Sequence, residues 1–242
     1  MFEKSCWYSE RLGRESCLAA FQGAMSDNRG SVNSPSARSR ARASIPALMP
    51  PMHTLPEPLD EIALGAGEVR TLEWQRDFLV ECDAPVQLAQ FIVGQTAVIG
   101  GTSAPAGDPS FIMVAPIEQH RVDHAVYVPE GYGFDFVLIA VPSAADVEID
   151  GTRIEDLPYC SRSLVGTVTV EKAAVDFDAV RCALSEPIVT SGPPVGLDPG
   201  VQRDGAHRVV SSLPAGVVVY GFDGFVSYGY AAGTELRILD GN

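Results

Sequence analysis

Short runs of β-branched and aromatic residues recur roughly every ten residues from Leu59 onward, and clusters of Gly, Pro and Asp separate them. This spacing is typical of the strands of an antiparallel β-sandwich, and no segment shows a comparable helical period. The predicted strands are 68–73, 86–93, 111–115, 125–128, 134–141, 146–149, 164–170, 179–184, 207–211, 216–222, 225–230 and 235–239. The pattern predicts an all-β fold with almost no helix.

Two of these runs do not alternate between apolar and polar residues. Phe136–Val141 and Val217–Tyr220 are apolar almost throughout, which predicts central strands covered on both faces. Val217, Val219 and Phe222 are expected to form one inward face. We expect the segment 209–239 to be the centre of stability of the domain.

Two Asp-Gly pairs lie between predicted strands. Asp150-Gly151 and Asp223-Gly224 each predict a two-residue hairpin turn, because type I′ turns need a positive φ at both central positions.

Residues 1–56 differ from the rest of the chain in both pattern and charge. They hold seven basic and four acidic side chains, whereas residues 57–242 hold 10 basic and 27 acidic ones. The stretch 26–58 is rich in Ser, Arg, Pro and Ala and has no apolar period, so it cannot bury enough surface to offset its ordering entropy. We predict a disordered N-terminal tail, residues 1–56, followed by one antiparallel β-sandwich-like domain, residues 57–242. Within the tail, residues 34–44 are interpreted as a spacer, with a transit peptide or a nucleic-acid-binding arm as the alternative.

The net charge of the chain limits its partners. At −14 it repels phosphate backbones, so no nucleic-acid partner is expected. The longest apolar runs, 111–117 and 136–141, are far shorter than the roughly 20 residues that cross a bilayer, so no membrane insertion is expected. Charged residues from Glu3 to Glu15 interrupt every apolar stretch near the N-terminus, and the sequence shows no signal peptide.

Four collinear segments carry a family resemblance. They are DAPVQLAQFIVGQ (83–95), GDPSFIMVAPIEQHRVDHAVYVPEGY (107–132), FDFVLIAVPSAADVEIDG (134–151) and GAHRVVSSLPAGVVVYGFDGFVSYGYAAGTEL (205–236). Together they resemble the IgGFc-binding domain family, which occurs in many bacterial surface proteins. The residues matching its motifs are Asp108, Pro109, Glu118, Gln119, Asp150, Gly151, Tyr220, Gly221, Ser227, Tyr228, Gly229 and Tyr230.

The resemblance implies a non-catalytic binding or adhesion domain of a secreted or cell-surface protein, with a protein or a glycan as its ligand. Immunoglobulin binding itself does not transfer with a fold, because function resides in a site. The chain also departs from the family pattern, since His120 and His124 stand where aromatic residues are usual.

Cysteine use leaves two alternatives open. Five cysteines do not make a disulfide scaffold at this length. Cys160 and Cys182 lie beside predicted strands that could be neighbours, and their pairing would stabilise the fold by about 3 kcal/mol. Alternatively, Cys82, Cys160 and Cys182 are buried free thiols.

Candidate catalytic and metal-binding groups are few. His120, Asp123 and His124 contain a His-x₃-His pair, which chelates zinc on a helix but would be about 13 Å apart along a strand. No serine lies in a Gly-x-Ser-x-Gly elbow and no glycine-rich phosphate loop precedes a helix, so an enzyme is not expected. The alternative function is a carboxylate- or metal-dependent hydrolase on a β-sandwich. Such an enzyme needs a concave cleft that gathers titratable groups, whereas a binding module can use a flat aromatic and polar face.

No cofactor is expected apart from a weakly possible calcium ion. Its candidate ligands are Asp146, Glu148, Asp150, Asp176 and Asp178, which are hard oxygen donors in or near predicted turns. Solvated acidic turns are the alternative, and no EF-hand pattern supports calcium.

Overall fold

The structure is a computed structural model, and it describes residues 2–8, 16–19, 39–44, 61–65, 67–74, 77–82, 86–92, 107–170, 172–190 and 196–235. Its strands are β1 (Phe2–Tyr8), β2 (Ser16–Ala19), β3 (Ser39–Ser44), β4 (Glu61–Leu64), β5 (Val69–Trp74), β6 (Phe78–Cys82), β7 (Val86–Ile92), β8 (Ser110–Val114), β9 (Arg121–Val128), β10 (Phe134–Pro142), β11 (Val147–Ile149), β12 (Thr152–Arg153), β13 (Cys160–Val170), β14 (Ala173–Thr190), β15 (Gly196–Val201), β16 (Gly205–Asp223) and β17 (Val226–Ala231). The helical content of these residues is two 3₁₀ turns, Ile117–Gln119 and Ile154–Asp156. The all-β, antiparallel prediction is confirmed.

Strand β16 joins two layers of the fold. Its first half pairs with β9 and β11, and its second half pairs with β10 and β17. The register shifts between Val210 and Ala215, at the point where the strand passes from one set of partners to the other. We call β9, β11, β12 and the first half of β16 the outer sheet. The middle sheet consists of β17, the second half of β16, β10, β14 and β13.

The middle sheet is covered on both faces. On β10, Val137, Ile139 and Val141 face the outer sheet, whereas Leu138 and Ala140 face the opposite way. The first set packs with valines and isoleucines of β9, β11 and β16, and the second set packs with leucines and isoleucines of β4, β6, β7 and β8. The prediction that 136–141 and 217–220 form doubly covered central strands is therefore confirmed.

Two further sheets cover the second face. Strands β5, β1, β7 and β8 form one of them, and β2, β6, β3 and β4 form the other. Strands β1 to β3 pair with later strands. The rest of the predicted tail lies outside the described residues, and the boundary at residue 57 stays a prediction. The predicted strand 235–239 also falls largely outside the described part of the chain.

The hairpin at Asp150-Gly151 forms as predicted. Both residues have positive φ, 54° and 78°, between β11 and β12. The second hairpin exists, but its predicted turn residues are wrong by one position. Asp223 remains in register opposite Val226, so the turn residues are Gly224 and Phe225, and the positive φ (60°) falls on Phe225. Asp223 belongs to the strand, and its backbone carbonyl accepts a hydrogen bond from the Gly107 amide at 2.7 Å.

The predicted inward face of β16 is also wrong at one residue. Val217 and Val219 face the outer sheet, as predicted. Odd and even positions of a strand face opposite ways, so Phe222 points to the other face together with Tyr220. There Phe222 stacks on Phe134, with ring centroids 4.5 Å apart, and Tyr220 stacks on Phe136 at 5.1 Å.

A disulfide joins Cys160 of β13 to Cys182 of β14, directly across the strand pair. Cys82 is a free thiol. No helix in the described ranges is long and apolar enough to cross a membrane.

Candidate binding face

The outer sheet has one buried and one exposed face. On β9, His124, Val126 and Val128 are buried, whereas Tyr127 is 55% exposed. No described strand packs on the exposed side, which we call the outer face. Its members are Arg121, Asp123, Ala125, Tyr127, Asp146, Glu148, Arg153, Ala206, Arg208, Val210 and Ser212.

The strand register fixes the order of side chains across the outer face. Asp123 lies opposite Val210, Val210 opposite Glu148, and Glu148 opposite Arg153. Further along the β9–β16 strand pair, Ala206 lies opposite Tyr127. Because paired residues share a face of a sheet, these side chains form rows on one flat surface.

Paired charges lie on this surface. Arg208 donates to both carboxylate oxygens of Asp123, at 2.9 and 2.6 Å, and Arg153 donates to Asp146 at 2.6 Å. The hydrogen bond from Arg208 lowers the pKa of Asp123 below its usual value. Since these side chains are exposed, the ion pairs contribute little to folding and mainly fix the orientation of the charges.

The free edge of β9 is capped by a side chain from β17. The Tyr230 hydroxyl donates to the carbonyl of Tyr127 at 2.7 Å and accepts from its amide at 2.8 Å. The unpaired edge of a strand can hydrogen-bond to another strand, and the Tyr230 hydroxyl occupies one such position on β9.

Below the surface, Asp135 of β10 is fully buried and interacts with the returning hairpin. Its Oδ1 accepts a 2.7 Å hydrogen bond from Tyr228, while its Oδ2 has no partner among the described residues. Burial raises the pKa of Asp135, and the nearby carboxylates of Asp204 and Asp223 raise it further, although hydrogen bonds from Tyr228 and Ser185 oppose this shift. Burial and the same contact raise the pKa of the Tyr228 hydroxyl.

Two glycines make room for these contacts. A Cβ at Gly221 would lie 2.4 Å from Asp135 Oδ1 and 2.5 Å from the Phe134 carbonyl oxygen. A Cβ at Gly229 would lie 2.4 Å from Ile112 Cδ1, so the buried Ile112 side chain of β8 would have to shift to accommodate it.

The start of β8 is attached to β17 as well. Ser227 Oγ contacts both the backbone amide and the carbonyl of Asp108. The structure thus brings together the motif residues Asp108 and Ser227, and it connects Tyr228 to Asp135, a residue that sequence reasoning did not single out. Pro109 follows Asp108 at the exposed entry to β8.

A cleft lies at the other end of β9. Residues of the first 3₁₀ turn and of β8, β9, β10, β16 and β17 line it, and many of these residues are small. They are Val114, Ala115, Gln119, His120, His124, Leu138, Ala140, Ala215, Gly216, Val217, Val218, Ala231, Ala232, Gly233 and Thr234. No carboxylate belongs to this set, so the cleft lacks the paired acids that the hydrolase alternative requires.

The motif residues Glu118 and Gln119 lie in the 3₁₀ turn that precedes β9. His120 ends this turn and lies directly before β9, which contains His124. Both rings line the same cleft, while Asp123 points away to Arg208.

The calcium candidates are not gathered in one place. Asp146 pairs with Arg153, Asp150 with His207 and Asp178 with Arg162, each at 2.6 Å, and Asp176 accepts from the Thr167 hydroxyl. Within the described ranges, no group of three or more His, Cys, Asp or Glu side chains is placed to hold a metal ion.

The fold is an antiparallel β-sandwich with an additional outer layer. A family model described as IgGFc binding protein matches residues 52–221, which is more than half of the chain. The chain therefore belongs to the IgGFc-binding family. Comparisons with curated proteins and with solved structures gave no match.

The family match contains Asp108, Asp150 and Gly221 but ends before Ser227–Tyr230. The motif role of those last four residues stays a prediction, although the structure shows what Ser227, Tyr228 and Tyr230 contact. Sequence reasoning missed the outer face itself. The alternation of β9 was the available signal, since Arg121, Asp123, Ala125 and Tyr127 occupy every second position.

Proposed function

We propose that this chain supplies a non-catalytic binding domain of a secreted or cell-surface protein, and that a protein or glycan ligand docks on the outer face. Membership of the IgGFc-binding family supports a binding role. The observation that carries the choice of surface is the flat, uncovered outer face, which presents Tyr127 beside the oriented Arg208–Asp123 pair.

The residue types on the outer face suit recognition. Tyr and Arg are enriched among the few residues that dominate binding energy at interfaces. Tyr127 is more than half exposed, and the Arg208 side chain is 67% exposed, so both are accessible to a partner. The negative net charge of the chain opposes nucleic acid as that partner.

The disulfide supports an extracellular location. Disulfides persist in oxidising compartments and are rare in the cytosol, where thiols are kept reduced. The Cys160–Cys182 bond therefore fits a secreted or surface-exposed domain.

Binding is tested with immobilised immunoglobulin G Fc, with the same Fc after removal of its glycan, and with a glycan array. We expect saturable binding to at least one of these probes. Tyr127→Ala and Arg208→Ala should each weaken that binding by about tenfold or more, which corresponds to about 1.4 kcal/mol. Loss of binding on glycan removal would identify the glycan as the ligand.

Leu164→Ala is the matched control. Leu164 is 58% exposed on β13 and lies outside the outer face, so its truncation should leave binding unchanged. Equal binding by the parent and both outer-face variants would contradict the proposed surface. Absence of binding to all three kinds of probe would contradict the proposed ligand classes.

A further inference from the structure

Small residues leave a gap on the outer face beside Tyr127. On β9, Ala125 lies two residues before Tyr127, and across the strand pair Ala206 lies opposite Tyr127. Both alanines are exposed. A side chain that ends at Cβ cannot cover its neighbours, so the surface beside the Tyr127 ring stays open.

An ion pair forms the far side of this gap. Arg208 is the cross-strand partner of Ala125, but its guanidinium reaches diagonally to Asp123, which lies further from Tyr127 along β9. Asp123 and Tyr127 are four residues apart on one strand, so their positions are separated by roughly 13 Å. We call the space between Tyr127 and the Arg208–Asp123 pair, above Ala125 and Ala206, the notch.

The notch presents hydrogen-bond donors and acceptors next to an aromatic ring. A carboxylate accepts about four hydrogen bonds and a guanidinium donates five, so the two direct bonds between Arg208 and Asp123 leave capacity of both kinds. Asp150 adds a half-exposed carboxylate, whose Oδ1 accepts from the Arg208 backbone amide at 2.8 Å. This combination suits a sugar ring, because its C–H face can stack on an aromatic ring while its hydroxyls both donate and accept.

The charges around the notch select among sugars. Arg208 is paired with Asp123, and Asp150 contacts His207 Nδ1 at 2.6 Å. The other cation of β9, Arg121, lies beyond Asp123, with its Nη1 3.5 Å from a Cβ built at Gly233. An anionic sugar in the notch would therefore meet a cation that is already neutralised, and the net charge of −14 would repel it.

We propose that the notch binds one neutral pyranose unit of a glycan, with its C–H face on the Tyr127 ring and its hydroxyls on Arg208 and Asp123. This inference rests on the proposed function, because it names the ligand class of the same outer face. The Tyr230 hydroxyl holds the backbone of Tyr127 on both its amide and its carbonyl, so the aromatic anchor is fixed before a ligand binds. A flat protein partner could contact Tyr127 and the ion pair without using the gap between them.

The test uses the full chain and the methyl glycosides of D-mannose, D-galactose, D-glucose and N-acetyl-D-glucosamine, with methyl D-glucuronide as the anionic comparison. Saturation-transfer NMR identifies the sugar protons that lie against the protein, and isothermal titration gives the affinity. We expect at least one neutral glycoside to bind, with the strongest saturation on the C–H protons of one ring face. The glucuronide should bind at least about tenfold more weakly.

Four variants locate the binding. Tyr127→Ala should weaken sugar binding by at least about tenfold, whereas Tyr127→Phe keeps the ring and should retain the affinity. Ala125→Leu fills the notch and should remove sugar binding, although it leaves Tyr127 and the ion pair in place. Leu164→Ala lies outside the outer face and should bind sugar as the parent does. Thermal unfolding checks that each variant is folded.

Three results would overturn the inference: no binding of any neutral glycoside, tighter binding of the glucuronide, or an affinity that neither Tyr127→Ala nor Ala125→Leu changes. Its failure differs from failure of the proposed function. If glycan-free Fc bound through Tyr127 and Arg208 while no sugar bound, the outer face would be a protein-binding surface. If no probe depended on these two residues, the outer face itself would be the wrong surface.

Discussion

Phe225 is a non-glycine residue held at positive φ in an exposed turn. Its φ of 60° is unfavourable for a residue with a Cβ. Because the side chain is 64% exposed, burial of the ring does little to offset that cost. We therefore expect Phe225→Gly to raise the free energy of unfolding, by about 1 kcal/mol, in a denaturant titration. Gly224→Ala is the control, because Gly224 does not have positive φ, and it should have a smaller effect. A destabilised Phe225→Gly would show that the ring makes a contact that outweighs the strain.

Asp135 gives the protein a definite response to pH. Its pKa is raised in the folded state, so the folded protein holds a proton that the unfolded chain releases at lower pH. The stabilisation that Asp135 contributes is fully present below its pKa in the unfolded chain, about 3.9, and it is lost as pH rises through its pKa in the folded protein. Asp135→Asn stays neutral and should remove this loss.

The measurement is the free energy of unfolding of the parent and of Asp135→Asn between pH 3 and pH 8. We expect Asp135→Asn to gain stability relative to the parent as pH rises. Asp123→Asn is a control of opposite sign, because the pKa of that exposed carboxyl is lowered by Arg208. A constant difference between the parent and Asp135→Asn would show that Asp135 does not titrate in this range.

At the scale of elements, the β16–β17 hairpin is attached to the middle sheet by Tyr228. Its hydroxyl bonds to Asp135, and its ring makes an edge contact with Tyr132, with ring centroids 4.7 Å apart. Tyr228→Phe should cost about 1–3 kcal/mol because it leaves a buried carboxylate without its donor. Tyr228→Ala should cost about 3–5 kcal/mol because it also creates a cavity. If both variants had the same denaturant midpoint as the parent, the hairpin would contribute little to the stability of the fold.

The β13–β14 pair depends on its disulfide. Opening the Cys160–Cys182 bond frees a loop with a sequence separation of 22 and should destabilise the domain by about 3 kcal/mol. Thermal unfolding with and without reductant measures this effect. The stability of the double variant Cys160→Ala/Cys182→Ala should not change with reductant. If reductant destabilised the double variant as much as the parent, its effect would not come from this disulfide.

Local pattern predicted the strands well because each depends mainly on its own residues. The apolar runs 136–141 and 217–220 identified the doubly covered strands, and Asp150-Gly151 identified its turn. The second turn was misplaced because an Asp-Gly pair does not by itself determine the strand register, and here Asp223 stays paired with Val226.

The candidate site was less predictable, since it depends on strands far apart in sequence. The segments 207–211 and 216–222 were predicted as two strands, but they form the single strand β16, because its bulge lets one chain pair with both layers. The outer face needs β9, β11 and β16 side by side. The shared cleft of His120 and His124 needs the 3₁₀ turn to end at His120, which a strand pattern does not reveal.

For the whole molecule, we expect no calcium requirement despite the abundance of acidic residues. Asp146 and Asp178 already face arginines at 2.6 Å, and Asp150 faces His207. We expect the melting temperature to change by less than about 1 °C between EDTA and millimolar CaCl₂, which is well under 1 kcal/mol. MgCl₂ at the same concentration controls for screening of the net charge of −14. A rise specific to Ca²⁺ would reveal a calcium site.

Strand β16 also determines how the molecule should respond to mechanical load. Because one continuous backbone runs through both the outer and the middle sheet, a pulling force on either layer is transmitted covalently to the other. The layers cannot slide apart while β16 is paired, since separation must break hydrogen bonds to β9 and β11 or to β10 and β17. Stretching the domain should therefore give one rupture event for the two layers together.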